Sequence, residues 1–187
     1  MEAAKLAVNE VAANVAIEVD TSIPDSELSR DEIIARNLKV VEAHFHNETP
    51  ELVEKAVALY ADHISWEAPT RGVVMNDKAA ILEAYRGIFR TVAYRKVVPL
   101  RRFATEKFVF DDQIGYITIV GDEMKNLPYP KGSELCVRLT HVFEMKDGKI
   151  ESEIAYEMWR EEGAANAVDF IPEGCPEITF APESSAS

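Results

Sequence analysis

The chain has 187 residues, 47% of which are hydrophobic, and a formal net charge of −13. This length and composition suit one globular domain with a substantial core. The negative charge argues against nucleic acids and anionic membranes as partners, because both would repel the chain.

Membrane insertion and secretion are not expected from the sequence. It has no apolar run of about 18 residues, which a spanning helix needs. The first twenty residues lack the basic and apolar regions of a secretion signal. The two cysteines, Cys136 and Cys175, are too few and too far apart to indicate a disulfide framework or a zinc site. A cytoplasmic protein is therefore expected.

Two helices are predicted near the start of the chain. A capping box at Ser29 and Glu32 predicts a helix over about 30–47. Pro50 is typical of a first helical turn and predicts a second helix over about 50–62. Apolar residues recur on one face of both segments, so each helix is expected to pack on a core.

The remaining elements change from helix to strand. A strand is predicted over 64–69 and a third helix over 77–92, capped by Asn76 or Asp77. Turn signals at 111–112, 126–128 and 146–148 separate the segments that follow, and the last of these indicates a hairpin. Five segments show strand patterns: Val97–Leu100, Lys107–Phe110, Gly115–Gly121, Glu134–Met145 and Lys149–Trp159. Helices followed by antiparallel strands predict an α+β fold.

The chain is predicted to have one folded domain with two extensions. Residues 1–28 are expected to form an arm or an extra helix, and residues 29–162 the domain. Residues 163–187, rich in proline and ending in serine and alanine, are expected to form an irregular tail.

Three local strings, in order, carry a resemblance that covers roughly residues 30–160. They are ALYADHISWEAP, KAAILEAY and HVFEMKDGKIESEIAYEMW. In these strings the chain resembles the NTF2-like superfamily, in particular SnoaL-like enzymes and ketosteroid isomerase. The resemblance implies a cone in which three helices pack on a strongly curved, mostly antiparallel sheet, with the ligand pocket inside. It also implies a homodimer or homotrimer formed through the sheet.

Family positions place ten residues of this chain around the implied pocket. His44, Glu153 and Glu157 would transfer protons, whereas Tyr60, Tyr85 and Arg138 would bind oxygen atoms. Arg138 is expected on the same inward face as Thr140. The substrate-binding wall would consist of Trp66, Phe89, Tyr116 and Thr140.

Two positions depart from ketosteroid isomerase. Ala68 and Thr140 occupy the places of the isomerase's two catalytic acids. Steroid isomerisation by that mechanism is therefore not expected.

The residues themselves leave other interpretations open. His44 could lie at the surface margin of its helix, and Tyr60 and Tyr85 could be ordinary core residues. Strand alternation alone favours a solvent-facing Glu153 and Glu157, with Ile154, Tyr156 and Met158 in the core. Arg138 could equally form a surface ion pair.

The expected enzyme needs no cofactor. No histidine pair has ligand spacing for a metal, and no nucleotide, nucleophile or haem motif is present.

The leading functional hypothesis is a cofactor-independent lyase that acts by acid/base catalysis on a hydrophobic hydroxylated aromatic substrate. In overall sequence the chain resembles the lyases that deformylate lignin-derived diarylpropane diols to stilbenes. One alternative is a SnoaL-like hydratase, cyclase, isomerase or epoxide hydrolase, with Arg138 and Glu153 activating water. Another is a ligand-binding domain without catalysis, which a pocket collapsed by Trp66 and Phe89 would favour.

Overall fold

The computed structural model of the protein describes residues 15–180. The predicted N-terminal extra helix falls mostly outside these residues. Two single 3₁₀ turns, Asp25–Glu27 and Pro69–Arg71, accompany the regular elements. In chain order these are α1 (Arg30–Asn47), α2 (Val53–Val57), β1 (Tyr60–Ala68), β2 (Val73–Met75), α3 (Lys78–Thr91), β3 (Val92–Ala104), β4 (Phe108–Ile119), β5 (Glu134–Lys146), β6 (Lys149–Glu161) and β7 (Ile178–Thr179).

The starts of α1 and α3 follow the predicted capping chemistry. The Ser29 amide donates to the Glu32 carboxylate at 2.8 Å, and the Ser29 hydroxyl accepts from the Glu32 amide, which confirms the capping box. Asp77 caps α3 by accepting from the Ala80 amide at 2.9 Å. Each cap satisfies amide groups that have no partner within the helix.

The second helix is shorter than the sequence predicted. It ends at Val57, and Tyr60 is the first residue of β1. The reason is a tertiary hydrogen bond: the Ile150 amide of β6 donates to the Leu59 carbonyl at 3.1 Å. A hydrogen bond to a strand therefore takes the place of a hydrogen bond within the helix at Leu59. The prediction that Tyr60 lies in a helix is wrong.

The strands form one seven-stranded sheet in the order β2-β1-β6-β5-β4-β3-β7. All neighbours pair antiparallel except β1 and β6, which pair parallel. The predicted hairpin joins β5 to β6, where Asp147 and Gly148 both have positive φ angles, as a tight hairpin turn requires. An α+β fold with a mostly antiparallel sheet is thereby confirmed.

One predicted turn is absent, because β4 runs unbroken through Asp111 and Asp112. The two carboxylates lie on opposite faces of the strand, and each is neutralised on its own face. Arg102 donates to Asp111 at 2.7 Å, and Arg138 forms a two-point pair with Asp112. Paired aspartates can therefore occupy a central strand, although unpaired ones are typical of turns.

The helices pack on one side of the sheet, which we call the inner face. Val40 of α1, Ile81 of α3 and Phe143 of β5 belong to its main core and have no exposed surface. β3 is irregular after Tyr94 and after Pro99, and such bulges bend a sheet.

The opposite side is the outer face, and residues 163–180 cross part of it. β7 pairs with β3, while Asp169 forms ion pairs with Arg138 and Arg160. Within residues 15–180, no helix is long and apolar enough to cross a membrane.

Candidate active site

Four polar side chains from four separate elements meet beneath the helices. His44 lies in the last turn of α1, Tyr60 begins β1, Tyr85 lies in the middle of α3, and Glu153 lies in the middle of β6. We call these four residues the inner cluster. None has more than 5% of its surface exposed. The alternative interpretation, in which His44 lies at the surface margin of its helix, is therefore wrong.

The Tyr60 hydroxyl is the centre of the inner cluster. It donates to Glu153 at 2.5 Å and lies 2.9 Å from the Tyr85 hydroxyl. His44 Nε2 is 3.3 Å from the Tyr85 oxygen, 3.4 Å from the Tyr60 oxygen and 3.5 Å from Glu153 Oε2. The sequence analysis named all four residues for the pocket, and the structure joins them in one connected network.

The network holds a charged pair in the protein interior. Burial lowers the pKa of His44, but contacts with the Glu153 and Glu48 carboxylates outweigh it and raise the pKa to about 10. Burial raises the pKa of Glu153, but its contacts with His44 lead to a net lowering. At neutral pH the pair is therefore an imidazolium beside a carboxylate.

The two tyrosines stay protonated in this environment. Burial, followed by the negative charges of Glu153 and Glu48, raises the pKa of both Tyr60 and Tyr85 well above the ordinary value. Each hydroxyl can therefore donate a hydrogen bond at neutral pH. Neutral phenols beside an ion pair are groups that can stabilise negative charge on a substrate oxygen.

Sequence reasoning missed Glu48, which lies one helical turn after His44. Its carboxylate is 3.5 Å from His44 Nε2, and about a quarter of its side chain is exposed. It is the most solvent-accessible carboxylate in contact with the cluster. The i,i+4 spacing from His44 was a signal for this contact, since such residues are neighbours on one helix face.

Aromatic side chains pack around the inner cluster. Trp66 lies opposite Glu153 in the pairing of β1 with β6, and its indole N–H is buried without a hydrogen-bond partner among the described residues. Phe89 stacks on Tyr85 at 6.3 Å, and the Phe143 ring is 5.9 Å from that of His44. The substrate-binding positions predicted for Trp66 and Phe89 therefore adjoin the cluster.

Glu157 also points inward, but it belongs to a different set of contacts. Arg71 donates to both of its oxygens, at 2.6 and 2.9 Å, and the Trp159 indole donates at 2.9 Å. Arg71 and Glu157 are both almost fully buried. Three donors hold this carboxylate in one position, which suits Glu157 to keeping Arg71 in place.

The inward position of Glu153 and Glu157 settles one open alternative. Tyr156 and Met158, which alternation had favoured as core residues, are 44% and 52% exposed. The solvent-facing interpretation of the two glutamates is therefore wrong.

Three predicted pocket residues lie on the outer face instead. Arg138 pairs with Asp112 and Asp169, and the Thr140 hydroxyl is 3.5 Å from Asp112. Tyr116 belongs to a cluster with Cys136 on the same face. The predicted pocket positions of Arg138, Thr140 and Tyr116 are corrected accordingly.

Strand register explains this correction. Phe143 lies opposite Glu153, and Arg138 lies opposite the exposed Met158. Directly paired residues share a face, and faces alternate along a strand. Arg138, five residues from Phe143, must therefore lie on the face opposite to Glu153.

The geometry allows general acid/base chemistry without requiring a bound metal. No group of three or more His, Cys, Asp or Glu side chains with metal-binding geometry occurs in the described part of the chain. The inner cluster is almost closed to solvent, so a small molecule could contact it only after neighbouring side chains moved.

Solved structures share this fold at low sequence identity. An LEH-like epoxide hydrolase from M. tuberculosis is 17% identical, with 67% of this chain and 84% of that chain covered and a TM-score of 0.53. SalBIII, an epoxide hydrolase/cyclase-like enzyme of salinomycin pyran-ring formation, is 19% identical over 66% and 92%, with a TM-score of 0.54. An NTF2-like protein from Burkholderia xenovorans is 13% identical over 67% and 91%, with a TM-score of 0.57.

At these identities the likeness establishes the fold alone. No curated protein matches the sequence significantly. The model of the SnoaL-like domain matches residues 41–153, which span most of the helices and strands that build the inner cluster. The chain therefore belongs to the SnoaL-like domain family, within the NTF2-like fold.

Proposed function

We propose that the protein is a cofactor-independent lyase for a hydrophobic, hydroxylated aromatic substrate. One observation carries the proposal: an imidazolium, a carboxylate and two neutral phenols meet inside an aromatic-lined interior. Such a set supplies a proton donor, a proton acceptor and two oxygen-binding groups. The resemblance to deformylating lyases suggests a diarylpropane diol as the substrate.

The proposed reaction is balanced without an added oxidant or reductant. The benzylic hydroxyl takes up a proton and leaves as water, while the phenol on that ring loses its proton and becomes a quinone methide. A base then removes the proton of the terminal alcohol, and the adjacent carbon–carbon bond breaks. Formaldehyde departs, the electron pair restores the aromatic ring as a phenolate, and the proton held by the base passes to the phenolate oxygen. One diol therefore gives one stilbene, one formaldehyde and one water.

We assign the residues of the inner cluster to the first half of this reaction. His44, as an imidazolium, would protonate the departing hydroxyl, with Glu153 stabilising the charge and accepting a proton in return. Tyr60 and Tyr85 would each turn their one O–H proton from its partner in the inner cluster to a substrate oxygen. Glu157, which the sequence suggested for proton transfer, is instead proposed to hold Arg71 in place.

Labelled substrate tests the proposal directly. The wild-type protein would be incubated with a diarylpropane diol that carries ¹³C at its terminal carbon, and formaldehyde and stilbene would be measured by NMR and chromatography. Equal amounts of labelled formaldehyde and stilbene are expected. Binding of the diol without product would contradict the lyase and favour the ligand-binding alternative.

One observation favours water addition as a second candidate. Arg71 and Glu157 form a buried arginine–carboxylate pair on the inner face, where the sequence had suggested Arg138 and Glu153. An epoxide hydrolase or hydratase would use such a pair to position water. Reaction in ¹⁸O-labelled water separates the two candidates, because a hydrolase places solvent oxygen in the aromatic product and the proposed lyase does not; formaldehyde is left out of this comparison, since it exchanges its oxygen with water.

A further inference from the structure

A second buried histidine lies on the inner face outside the inner cluster. His141 of β5 is 7% exposed, and it adjoins Asp111 of β4, which is 2% exposed. Arg102 of β3 completes the set through its contact with Asp111. We call these three residues the second triad.

The contacts of the second triad resemble those of an oriented catalytic histidine. Arg102 Nε donates to one Asp111 oxygen, Oδ1, at 2.7 Å. The other oxygen, Oδ2, faces His141 Nδ1 at 3.7 Å. A carboxylate beside one ring nitrogen sets the orientation of the ring and directs the other nitrogen, Nε2, away from itself.

Both facing atoms lack a hydrogen-bond partner. Asp111 Oδ2 and His141 Nδ1 are fully buried, and neither has a hydrogen bond to any residue that the structure describes. Leaving a buried polar atom unpaired destabilises the folded protein. A small movement that shortens the 3.7 Å separation would pair both atoms at once. The hydrogen bond between Asp111 and His141 therefore forms only after one of the two side chains moves.

The second triad shares its aromatic surroundings with the inner cluster. The His141 ring lies 5.1 Å from Phe45 and 5.8 Å from Phe143. The His44 ring lies 5.7 and 5.9 Å from the same two phenylalanines. The two histidines therefore flank one aromatic pair, and a substrate that contacts this pair would lie near both of them.

We infer that His141, held by Asp111 and Arg102, contacts a second hydroxyl group of the substrate through Nε2 and removes its proton. This inference rests on the proposed function, whose reaction needs a base at the terminal alcohol as well as an acid at the benzylic hydroxyl. The alcohol proton passes to His141 Nε2, the carbon–carbon bond breaks, and its electron pair moves into the quinone methide. Asp111 stabilises the resulting imidazolium and is a positioning residue.

Several charged groups face His141 from the elements packed around it. Asp111 and Arg102 lie on neighbouring strands, Glu153 lies on β6, and Glu48 and His44 lie at the end of α1. Burial lowers the pKa of His141, but the Asp111 contact and the charge of Glu153 lead to a net rise. A higher pKa makes the neutral ring a stronger base.

The experiment uses ¹⁵N-histidine NMR on the full chain, with 2,3-diphenylpropan-1-ol as the probe, which keeps the terminal alcohol but lacks the benzylic hydroxyl and therefore cannot react. The matched ligand without a hydroxyl is 1,2-diphenylpropane. The alcohol is expected to shift the His141 Nε2 resonance, and the hydrocarbon is not. D111N is expected to lower the pKa of His141. D112N, which changes the neighbouring carboxylate on the outer face, is expected to leave it unchanged. An unmoved His141 resonance with bound 2,3-diphenylpropan-1-ol would overturn the inference.

Turnover of the labelled diol separates this inference from the proposed function. H141Q is expected to lower formaldehyde release about 100-fold or more, with the His44 resonances unchanged. If H141Q keeps full turnover while E153Q loses it, the inference is overturned and the proposed function is left intact. Absence of turnover in the wild type would overturn the proposed proton-transfer role, and with it the proposed function, even if the hydroxyl contact at His141 were seen.

Discussion

The two faces of the sheet both carry buried charges, but they differ in how those charges are matched. On the outer face, Arg138 forms a two-point pair with Asp112 and a further pair with Asp169. On the inner face, His44 and Glu153 share their contacts with two tyrosines. The outer network joins arginine to aspartate, whereas the inner cluster joins a histidine to a glutamate and two tyrosines; the arginine pairs of the inner face, Arg71–Glu157 and Arg102–Asp111, lie outside the inner cluster.

This difference distinguishes the inner cluster, as the candidate site of chemistry, from the arginine–carboxylate pairs. An arginine–carboxylate pair fixes geometry, because arginine does not lose its proton under ordinary conditions. A histidine–carboxylate–tyrosine network can move a proton between its members. Buried charge alone is therefore a poor guide to a functional site, and the kind of partner is a better one.

The largest expected effect comes from comparing one carboxylate on each face. E153Q should lower formaldehyde release about 100- to 10,000-fold, because it removes the partner of His44 and a proton acceptor. D112N is the matched control on the outer face and should change turnover per folded molecule by about threefold or less, as expected of a residue outside the chemistry. Steady-state rates of both folded variants check this comparison, and equal losses would remove its basis.

A comparably large effect on stability is expected at Glu157. E157A leaves Arg71 buried without its charge partner, which should lower the free energy of unfolding by about 3–5 kcal/mol. E18A breaks the exposed pair with Lys55 and should cost about 1 kcal/mol or less. Urea unfolding measures both. A stability loss in E157A as small as that in E18A would show that Arg71 does not depend on Glu157.

The pH dependence of stability sharpens the comparison further. Because the folded-state pKa of His44 is raised to about 10, its contribution is fully present below pH 6.5 and is lost as the pH rises through 10. Between these pH values the free energy of unfolding of the wild type should fall, relative to that of H44Q, by up to about 1.4 kcal/mol per pH unit. Urea titrations at pH 8 and 9 give the slope. Parallel curves for the two proteins would argue against a charged His44.

The smallest expected effect separates the two tyrosines. Y60F removes the direct hydrogen bond to Glu153, whereas Y85F leaves that bond in place. Loss of a hydrogen bond to a charged group should cost about 1.5–3 kcal/mol in Y60F, and a neutral bond about 1 kcal/mol in Y85F. The ratio of kcat/KM values to that of the wild type reports both. A larger loss in Y85F would place the charged contact on Tyr85.

Much of the fold was predictable because its signals are local. The capping box at Ser29 and the hairpin at 146–148 depend on neighbouring residues, and both are present. The end of α2 and the continuity of β4 were not predictable in this way. They depend on a bond from Ile150 and on arginine partners of the Asp111–Asp112 pair, which lie far away in the sequence.

The site was predictable only in part, for a related reason. Alternation shows that Glu153 and Glu157 share a face but does not show which face is buried. The family resemblance oriented these two residues correctly and oriented Arg138 wrongly. The register that pairs Phe143 with Glu153 excludes Arg138 from the inner face, and a strand sequence does not contain its register.

The charge of His44 tests the central claim most directly, since an acid/base centre on the inner face requires a proton on that ring at neutral pH. ¹⁵N NMR of the wild type across a pH series should show an imidazolium that persists to about pH 10. In E153Q the same resonance should titrate at least about two pH units lower. A His44 ring that is neutral at pH 7 in the wild type, or one that E153Q leaves unchanged, would contradict the account.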